Sequence, residues 1–361
     1  MNLQLHPRTW LAACGIAAML ALSSTSVRAQ PALQKITIAL AGDGLHYTAL
    51  HVADSAGFFK QEGLQVEWIN IASGSQMAAA LLGGSAQLAG LGFSEVVNSA
   101  ANGGQLVAIS TLYNIYAMNL VLSNSAVKKA GITPKMSLDE RLHHLKGLSI
   151  GISAPGSSTD AFIRTTLLKR GINPDQEVVL RPLGNGAALF AAFENNIIDG
   201  FVWTAPLPQI VTLRKQGEVI ASPFTGEISE LDNVPYSVLA TSRDTLQNKR
   251  PLLDAAMRAY TRAIKLIHDQ PDVARRLTRP FFSDVEEPAF DLAFRQYLPG
   301  IATSPVVTPD ELKRTLDWTR LSGKTVDVKY DAVVYPDVAR AAAAAILGSP
   351  DATTATARTR K

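Results

Sequence analysis

The sequence is short of cysteine and has no large excess of either charge. Cys14 is the one cysteine in 361 residues, and it lies in an N-terminal apolar stretch. If this stretch is removed on export, the mature chain has no disulfide, no thiolate nucleophile and no cysteine metal ligand. The chain carries 34 Lys and Arg against 31 Asp and Glu. This near balance argues against nucleic-acid binding, which requires a basic stripe to neutralise phosphates.

Motifs of catalysis and of metal binding are also missing. The sequence contains no phosphate-binding loop of the required spacing, no nucleophile elbow and no zinc-binding histidine pair on one helix face. His143 and His144 are adjacent, so their side chains cannot share a helix face. Gly184 and Gly186 lack the rest of a dinucleotide-binding pattern. We therefore expect a protein that is not an enzyme, with no catalytic residue, no cofactor and no metal site.

Long apolar runs are absent except near the N-terminus. There Arg8 precedes an apolar run of 13 residues, 10–22, which is shorter than the roughly 20 needed to span a bilayer. Small residues at Val27 and Ala29 follow a polar break, which predicts a signal peptide, 1–29, cleaved after Ala29. We therefore expect a periplasmic protein. Cys14 stands in a lipoprotein-like box but near the start of the apolar run, which argues against lipid anchoring.

Beyond the leader, short β-rich runs alternate with helical stretches, which is typical of α/β architecture. Three strand–turn–helix units come first, and a second series of the same kind begins at Leu148. After Thr225 the chain becomes rich in helices, and we expect this part to pack back onto the first half. The predicted elements include one amphipathic helix over 48–62, strands over 106–112 and 119–123, a long helical stretch over 243–268 interrupted at Pro251, and a disordered tail over 348–361.

Three blocks of the sequence resemble substrate-binding proteins of the nitrate, sulfonate and taurine type. They are Val52-Ala53 with Gly57-Phe58-Phe59-Lys60-Gln61-Glu62-Gly63-Leu64, then Ala80-Leu81-Leu82-Gly83-Gly84 with Gln87-Leu88-Ala89, then a longer block from Gly156-Ser157 through Asn195 to Asp199, Trp203 and Pro206. The order of the blocks behind a signal peptide makes the resemblance specific. One departure is Gln87, which stands where the family usually has an acid.

The resemblance implies a type II periplasmic-binding fold. In that fold each of two lobes is a mixed sheet flanked by helices, and two hinge strands join the lobes. We expect lobe 1 to contain 30–117 and 236–347, and lobe 2 to contain 118–235. The resemblance also implies a small-molecule ligand, a monomeric protein, and a partner ABC permease in the inner membrane.

Candidate ligand-binding residues follow from helix N-termini and strand ends in the cleft that such a fold places between its lobes. Unpaired N-terminal amides and the helix dipole attract anions, and hydroxyl groups beside them add donors. The predicted set is Gly44, His46, Tyr47, Ser73, Gly74, Ser75, Gln76, Ser94, Gly156, Ser157, Ser158, Thr159, Trp203 and Tyr236. The structural alternatives are that Ser157 or Ser158 only caps its helix, that His46 lies in a surface turn, and that Trp203 belongs to the core.

Three functions remain open from the sequence. The first is an uptake receptor that closes two lobes on a small anionic or aromatic solute, of the sulfonate, nitrate or carboxylate class. The second is an enzyme like the thiamine-pyrimidine-synthase branch of the fold, which places a histidine after its first strand, near the position of His46. That branch's cysteine-rich motif is absent here. The third is a ligand sensor that kept the fold and lost transport.

Overall fold

The computed structural model describes residues 32–42, 44–323 and 325–349. The predicted leader with Cys14 and Ala29, and residues 350–361 of the predicted tail, lie outside this range. Within it, no helix combines the length and apolar character that crossing a membrane requires. Residues from Leu33 onward cluster as one compact unit.

The described residues form ten strands in two mixed five-stranded sheets. In chain order the strands are β1 (Gln34–Leu40), β2 (Leu64–Asn70), β3 (Leu88–Gly92), β4 (Leu106–Tyr113), β5 (Asn119–Ser123), β6 (Ser149–Ile152), β7 (Val179–Pro182), β8 (Gly200–Trp203), β9 (Gly217–Ala221) and β10 (Ser237–Ser242). The first sheet has the order β2–β1–β3–β10–β4, and the second has the order β7–β6–β8–β5–β9. The central strands β3, β10, β8 and β5 are buried along their whole length, because helices cover both faces of each sheet.

Both sheets share one pattern of strand directions. In the first sheet β1 runs parallel to β2 and β3, while β10 is antiparallel to β3 and β4. In the second sheet β6 runs parallel to β7 and β8, while β5 is antiparallel to β8 and β9. Each sheet therefore receives one antiparallel strand, β10 or β5, next to its parallel set. This confirms the predicted α/β fold class with two mixed sheets.

Helices connect and cover these strands. The α-helices are α1 (Thr48–Ser55), α2 (Phe58–Gln61), α3 (Gly74–Leu82), α4 (Phe93–Ala101), α5 (Asn124–Ala130), α6 (Leu138–His143), α7 (Ser158–Leu168), α8 (Pro174–Glu177), α9 (Gly186–Glu194), α10 (Leu207–Leu213), α11 (Arg243–Asn248), α12 (Arg250–Asp269), α13 (Pro271–Thr278), α14 (Glu287–Tyr297), α15 (Pro309–Arg320), α16 (Tyr330–Val333) and α17 (Asp337–Leu347). The long α12 packs against α1 and α17, so the helix-rich C-terminal part returns to the first sheet.

Two predicted helices differ from the observed ones for reasons of backbone chemistry. The helix predicted over 48–62 divides into α1 and α2, because Gly57 adopts φ 72°, a left-handed conformation that ends the first helix. Pro251 does not interrupt a helix. It lies in the first turn of α12, where its missing N–H costs no hydrogen bond, and the break falls at Lys249 instead.

The chain crosses between the sheets twice, at 114–118 and at 222–236. Tyr297, at the end of α14, holds the first crossing in place. Its hydroxyl donates to the carbonyl of Ala117 (2.8 Å) and accepts from Asn119 Nδ2 (3.1 Å) and from the backbone N–H of Ala205 (2.9 Å). The second crossing ends at Tyr236, whose N–H donates to the carbonyl of Tyr113 (2.9 Å). The predicted lobe boundaries near 117 and 236 stay predictions.

Candidate ligand-binding site between the two sheets

A small cavity lies where the two sheets face each other. Its walls include residues that follow the carboxyl ends of β1, β3, β6 and β8, together with the N-terminal residues of α3 and α7. The cavity has a volume of about 30 Å³, which is room for about two waters. The two sides touch at its edge, since a Cβ on Gly92 would lie 2.1 Å from Ser158 Oγ. Ligands of open α/β sheets bind in this position, outside the carboxyl ends of the strands.

The first sheet contributes five of the predicted residues to this cavity. They are His46, Tyr47, Ser73, Gly74 and Tyr236. The Tyr47 hydroxyl is already used, because it donates to the carbonyl of Gly90 (2.8 Å). Ser73 is the N-cap of α3 and accepts from the N–H of Gln76 (3.4 Å), which leaves its own proton available to donate.

His46 is a buried, neutral ring in the cavity wall. Its centroid lies 3.8 Å from that of Tyr47 and 5.0 Å from that of Tyr236. Burial, helped by the nearby His51, lowers the pKa of His46 to about 3. Its Nδ1 is buried and has no hydrogen-bond partner among the described residues. At neutral pH the ring therefore offers one donor and one acceptor and no charge.

The second sheet contributes Ser157, Ser158, Thr159 and Trp203. The hydroxyls of Ser153, Ser157 and Thr159 form a closed ring with oxygen separations of 2.8 to 3.0 Å. The ring also bonds to backbone, as Ser157 donates to the carbonyl of Ala154 (2.7 Å) and caps α7. These hydroxyls satisfy one another, so the capping interpretation accounts for Ser157 and Thr159 without a ligand.

Trp203 and Tyr236 give the cavity aromatic walls with polar edges. Both side chains are almost buried, with 9% and 7% exposure. The hydrogen bonds of the described residues include none from the Trp203 indole N–H or the Tyr236 hydroxyl. Burial raises the pKa of Tyr236 well above its ordinary value, so its hydroxyl stays protonated. The Tyr236 hydroxyl therefore presents a free donor next to a flat apolar surface, whereas the Trp203 indole nitrogen lies against Gly186, on which a Cβ would approach it to 2.5 Å.

The remaining predicted residues lie outside this cavity. Ser75 and Gln76 are exposed on the surface of α3. Ser94 and Gly156 instead line a second, larger cavity of about 480 Å³ beside α7 and α15. Gly44 packs against the His46 ring, because a Cβ on Gly44 would lie 2.3 Å from that ring. Ligand contact by these five residues stays a prediction, and this cavity does not support it.

The sequence analysis missed Glu95, which is the one carboxylate among the described residues of the cavity lining. The N–H and hydroxyl of Ser158 donate to its Oε1 (2.9 and 3.1 Å), and the N–H of Gly92 donates to its Oε2 (3.1 Å). Burial raises the pKa of Glu95, and the hydrogen bonds from Ser158 and Gly92 oppose that rise. The available signal was a glutamate three residues after a strand-ending glycine, which is half of a capping box.

The lining also includes Met77, Met118 and Thr204, none of which carries a motif. In the part of the chain that the structure describes, no group of three or more His, Cys, Asp or Glu side chains is arranged to hold a metal ion. Neutral hydroxyls, aromatic edges and one carboxylate therefore supply the polar chemistry of the cavity.

Solved structures share this architecture. A protein from Bordetella bronchiseptica RB50 is 23% identical with a TM-score of 0.76, covering 86% of this chain and 96% of that one. The alkanesulfonate-binding protein SsuA from Xanthomonas axonopodis pv. citri, bound to MOPS, is 18% identical with a TM-score of 0.66, covering 85% and 100%. The desulfurization enzyme DSZB also has this fold, with 14% identity and a TM-score of 0.56, so the fold alone does not separate binding from catalysis.

The sequence comparisons agree with the resemblance to nitrate- and sulfonate-binding proteins. The nitrate/nitrite binding protein NrtA of Nostoc sp. (strain PCC 7120) is 34% identical over 104 residues, which are 28% of this chain. The match spans 22% of that relative's length. The model of the NMT1-like family matches residues 29–279, which include every strand of both sheets and every residue of the cavity lining. The chain therefore belongs to the NMT1-like family.

Proposed function

We propose that this chain is the extracytoplasmic receptor of an ABC importer, which closes two lobes on one small solute and delivers it to a permease in the inner membrane. The observation that carries the proposal is the cavity, whose walls come from both sheets and whose sides touch through Gly92 and Ser158. A solute held there contacts both halves at once, so its binding favours the closed arrangement. The signal-peptide prediction supports a periplasmic receptor released after Ala29, and the family resemblance implies that it acts as a monomer.

The chemistry of the cavity favours binding without catalysis. Nucleophilic catalysis needs a hydroxyl or thiol within hydrogen-bond reach of a base. Among the described residues no hydroxyl donates to His46 or His51. The Ser158 hydroxyl does donate to the Glu95 carboxylate (3.1 Å), which also accepts from the backbone N–H groups of Ser158 and Gly92 and so links the two sides of the cleft. Glu95 already accepts three hydrogen bonds. These groups hold a shape and a pattern of donors, which is what a receptor requires.

Of the two solute classes left open by the sequence, the cavity favours the aromatic class over the small anion. No Lys or Arg lies among the described lining residues to balance an anion. The free donor of Tyr236 and the aromatic side chains of Trp203 and Tyr236 suit a solute with a flat body and polar substituents.

The test is calorimetric titration of the protein expressed from the full chain with its own leader. The panel contains alkanesulfonates, nitrate, aromatic carboxylates and pyrimidine precursors. We expect saturable binding of one solute per chain, accompanied by a change in tryptophan fluorescence because Trp203 lines the cavity. A strain that lacks the protein should lose uptake of the same solute. Failure of the whole panel to bind, or turnover of a bound compound, contradicts the receptor function.

A further inference from the structure

The Glu95 carboxylate lies at helix N-termini from both halves of the cleft. Three helix N-termini meet at its carboxylate. The first is its own helix α4, through the N–H of Gly92, and the second is α7, through the N–H of Ser158. The third is α3, because a Cβ on Gly74 would lie 2.2 Å from both carboxylate oxygens. Helix N-termini stabilise a negative charge, and here a side chain of the protein supplies that charge.

Capping of α4 explains only part of this arrangement. A glutamate at the third position of a helix commonly accepts from the N-cap N–H, as Glu95 does from Gly92. The two bonds from Ser158 are different, because they come from the other sheet, 63 residues along the chain. Glu95 therefore links the two halves of the cleft in addition to capping the start of α4.

The carboxylate still has room for one more donor. An ionised carboxylate has about four acceptor positions, and three are used, two on Oε1 and one on Oε2. Glu95 forms no ion pair with a described residue, and its side chain lines the cavity. The remaining position on Oε2 is open to a solute.

The surroundings of this position suit a positive group. His46 is the one basic side chain among the described lining residues, and burial lowers its pKa to about 3, so it is neutral at physiological pH. The faces of Tyr47, Tyr236 and Trp203 line the same cavity. Aromatic faces attract cations, and they do so more strongly where water is excluded. A carboxylate without an ion-pair partner among the described residues, in a cavity that three aromatic side chains also line, is complementary to a small organic cation.

Given the proposed receptor function, we propose that Glu95 is the specificity-determining residue of the cleft. It selects solutes that present a protonated amine, and it rejects small oxyanions such as nitrate or a simple alkanesulfonate. The amine donates to Glu95 Oε2. Solutes that carry only negative charge face both the carboxylate and helix N-termini that are already satisfied.

The experiment uses two matched series of probes in calorimetric titrations. The first is benzylamine, benzyl alcohol and benzoate, which share a ring and differ in charge. The second is 2-aminoethanesulfonate and ethanesulfonate, which differ only in the ammonium group. We expect the amine of each series to bind wild-type protein at least about tenfold more tightly, as a hydrogen bond to a charged group contributes. In Glu95→Gln this preference should disappear, and ethanesulfonate should bind more tightly than it binds the wild type.

The control is Glu311→Gln, because Glu311 is also a buried capping glutamate, at the start of α15, and it lies outside the cavity. This variant should keep the wild-type preference. Equal binding within each series, or a preference for the anion, in wild-type protein overturns the role of Glu95 while leaving a solute receptor in place. Failure of all probes and of the earlier panel in every variant overturns the receptor function itself. If Glu95→Gln does not fold, the preference of the wild-type protein for the amine within each series tests the role of Glu95.

Discussion

Tyr297 shows how much one hydroxyl contributes to the link between the two sheets. It joins Ala117, Asn119 and Ala205 through three buried hydrogen bonds. We expect Tyr297→Phe to lower the free energy of unfolding by about 3 kcal/mol, since each lost bond costs about 1 kcal/mol and leaves a buried partner unpaired. Urea denaturation followed by circular dichroism measures this change.

The matched control is Tyr260→Phe. Tyr260 is equally buried, but its hydroxyl makes a single hydrogen bond, to the carbonyl of Thr111 (2.7 Å). This variant should lose only about 1 kcal/mol. Similar losses in the two variants would mean that the three bonds at Tyr297 do not act together.

Some residues of the site could be predicted from the sequence, and others could not. Ser73 and Trp203 were predicted as cavity residues because strand ends and helix starts carry local signals. Glu95 has a local signal only as a cap, and the partner that makes it important, Ser158, is 63 residues away. Tyr297 has none, because its partners lie up to 180 residues distant. Such contacts arise from the fold and leave no pattern in nearby residues.

At the scale of elements, the start of α7 combines a helix cap with a buried ring of hydroxyls. We expect Ser157→Ala to cost about 2 kcal/mol of stability, because it removes the cap and also leaves Ser153 and Thr159 with fewer partners. Ser137→Ala removes a serine cap of the same kind from the exposed start of α6 and should cost about 1 kcal/mol. Chemical denaturation of both variants gives the comparison, and equal costs would show that the ring adds nothing to the cap.

The strands of the first sheet could be predicted from the sequence, and so could those of the second sheet except β9. Apolar runs between glycine turns indicated β1, β2, β4 and β6 within a residue or two. The strand β9 was missed, because Gly217 and Glu218 make it look like a loop and only pairing with β5 makes it a strand. The short helix α5 falls in a stretch that looks like a polar, lysine-bearing segment, since its apolar face is too narrow to show a period.

At the scale of the whole molecule, two buried histidines make stability depend on pH. Burial lowers the pKa of both His46 and His51 to about 3, against about 6.5 in an unfolded chain. Between these values the unfolded state binds more protons than the folded state, so stability is full above about pH 6.5 and falls as the pH drops toward 3. Glu95 and Glu311 have raised pKa values and act in the opposite direction, since they favour the folded state on protonation.

His51 allows the histidine effect to be isolated, because it lies outside the ligand cavity. Both of its ring nitrogens are buried without partners, and the ring stacks on Phe281 at 4.1 Å between centroids. We expect His51→Phe to keep this packing. Between pH 6.5 and pH 3 its free energy of unfolding should fall by about 1 kcal/mol less per pH unit than that of the wild type. Urea midpoints of the two proteins, measured from pH 7 to pH 4, should diverge steadily as the pH falls. Parallel curves would show that His51 gains its proton without unfolding, and would place the acid sensitivity elsewhere in the molecule.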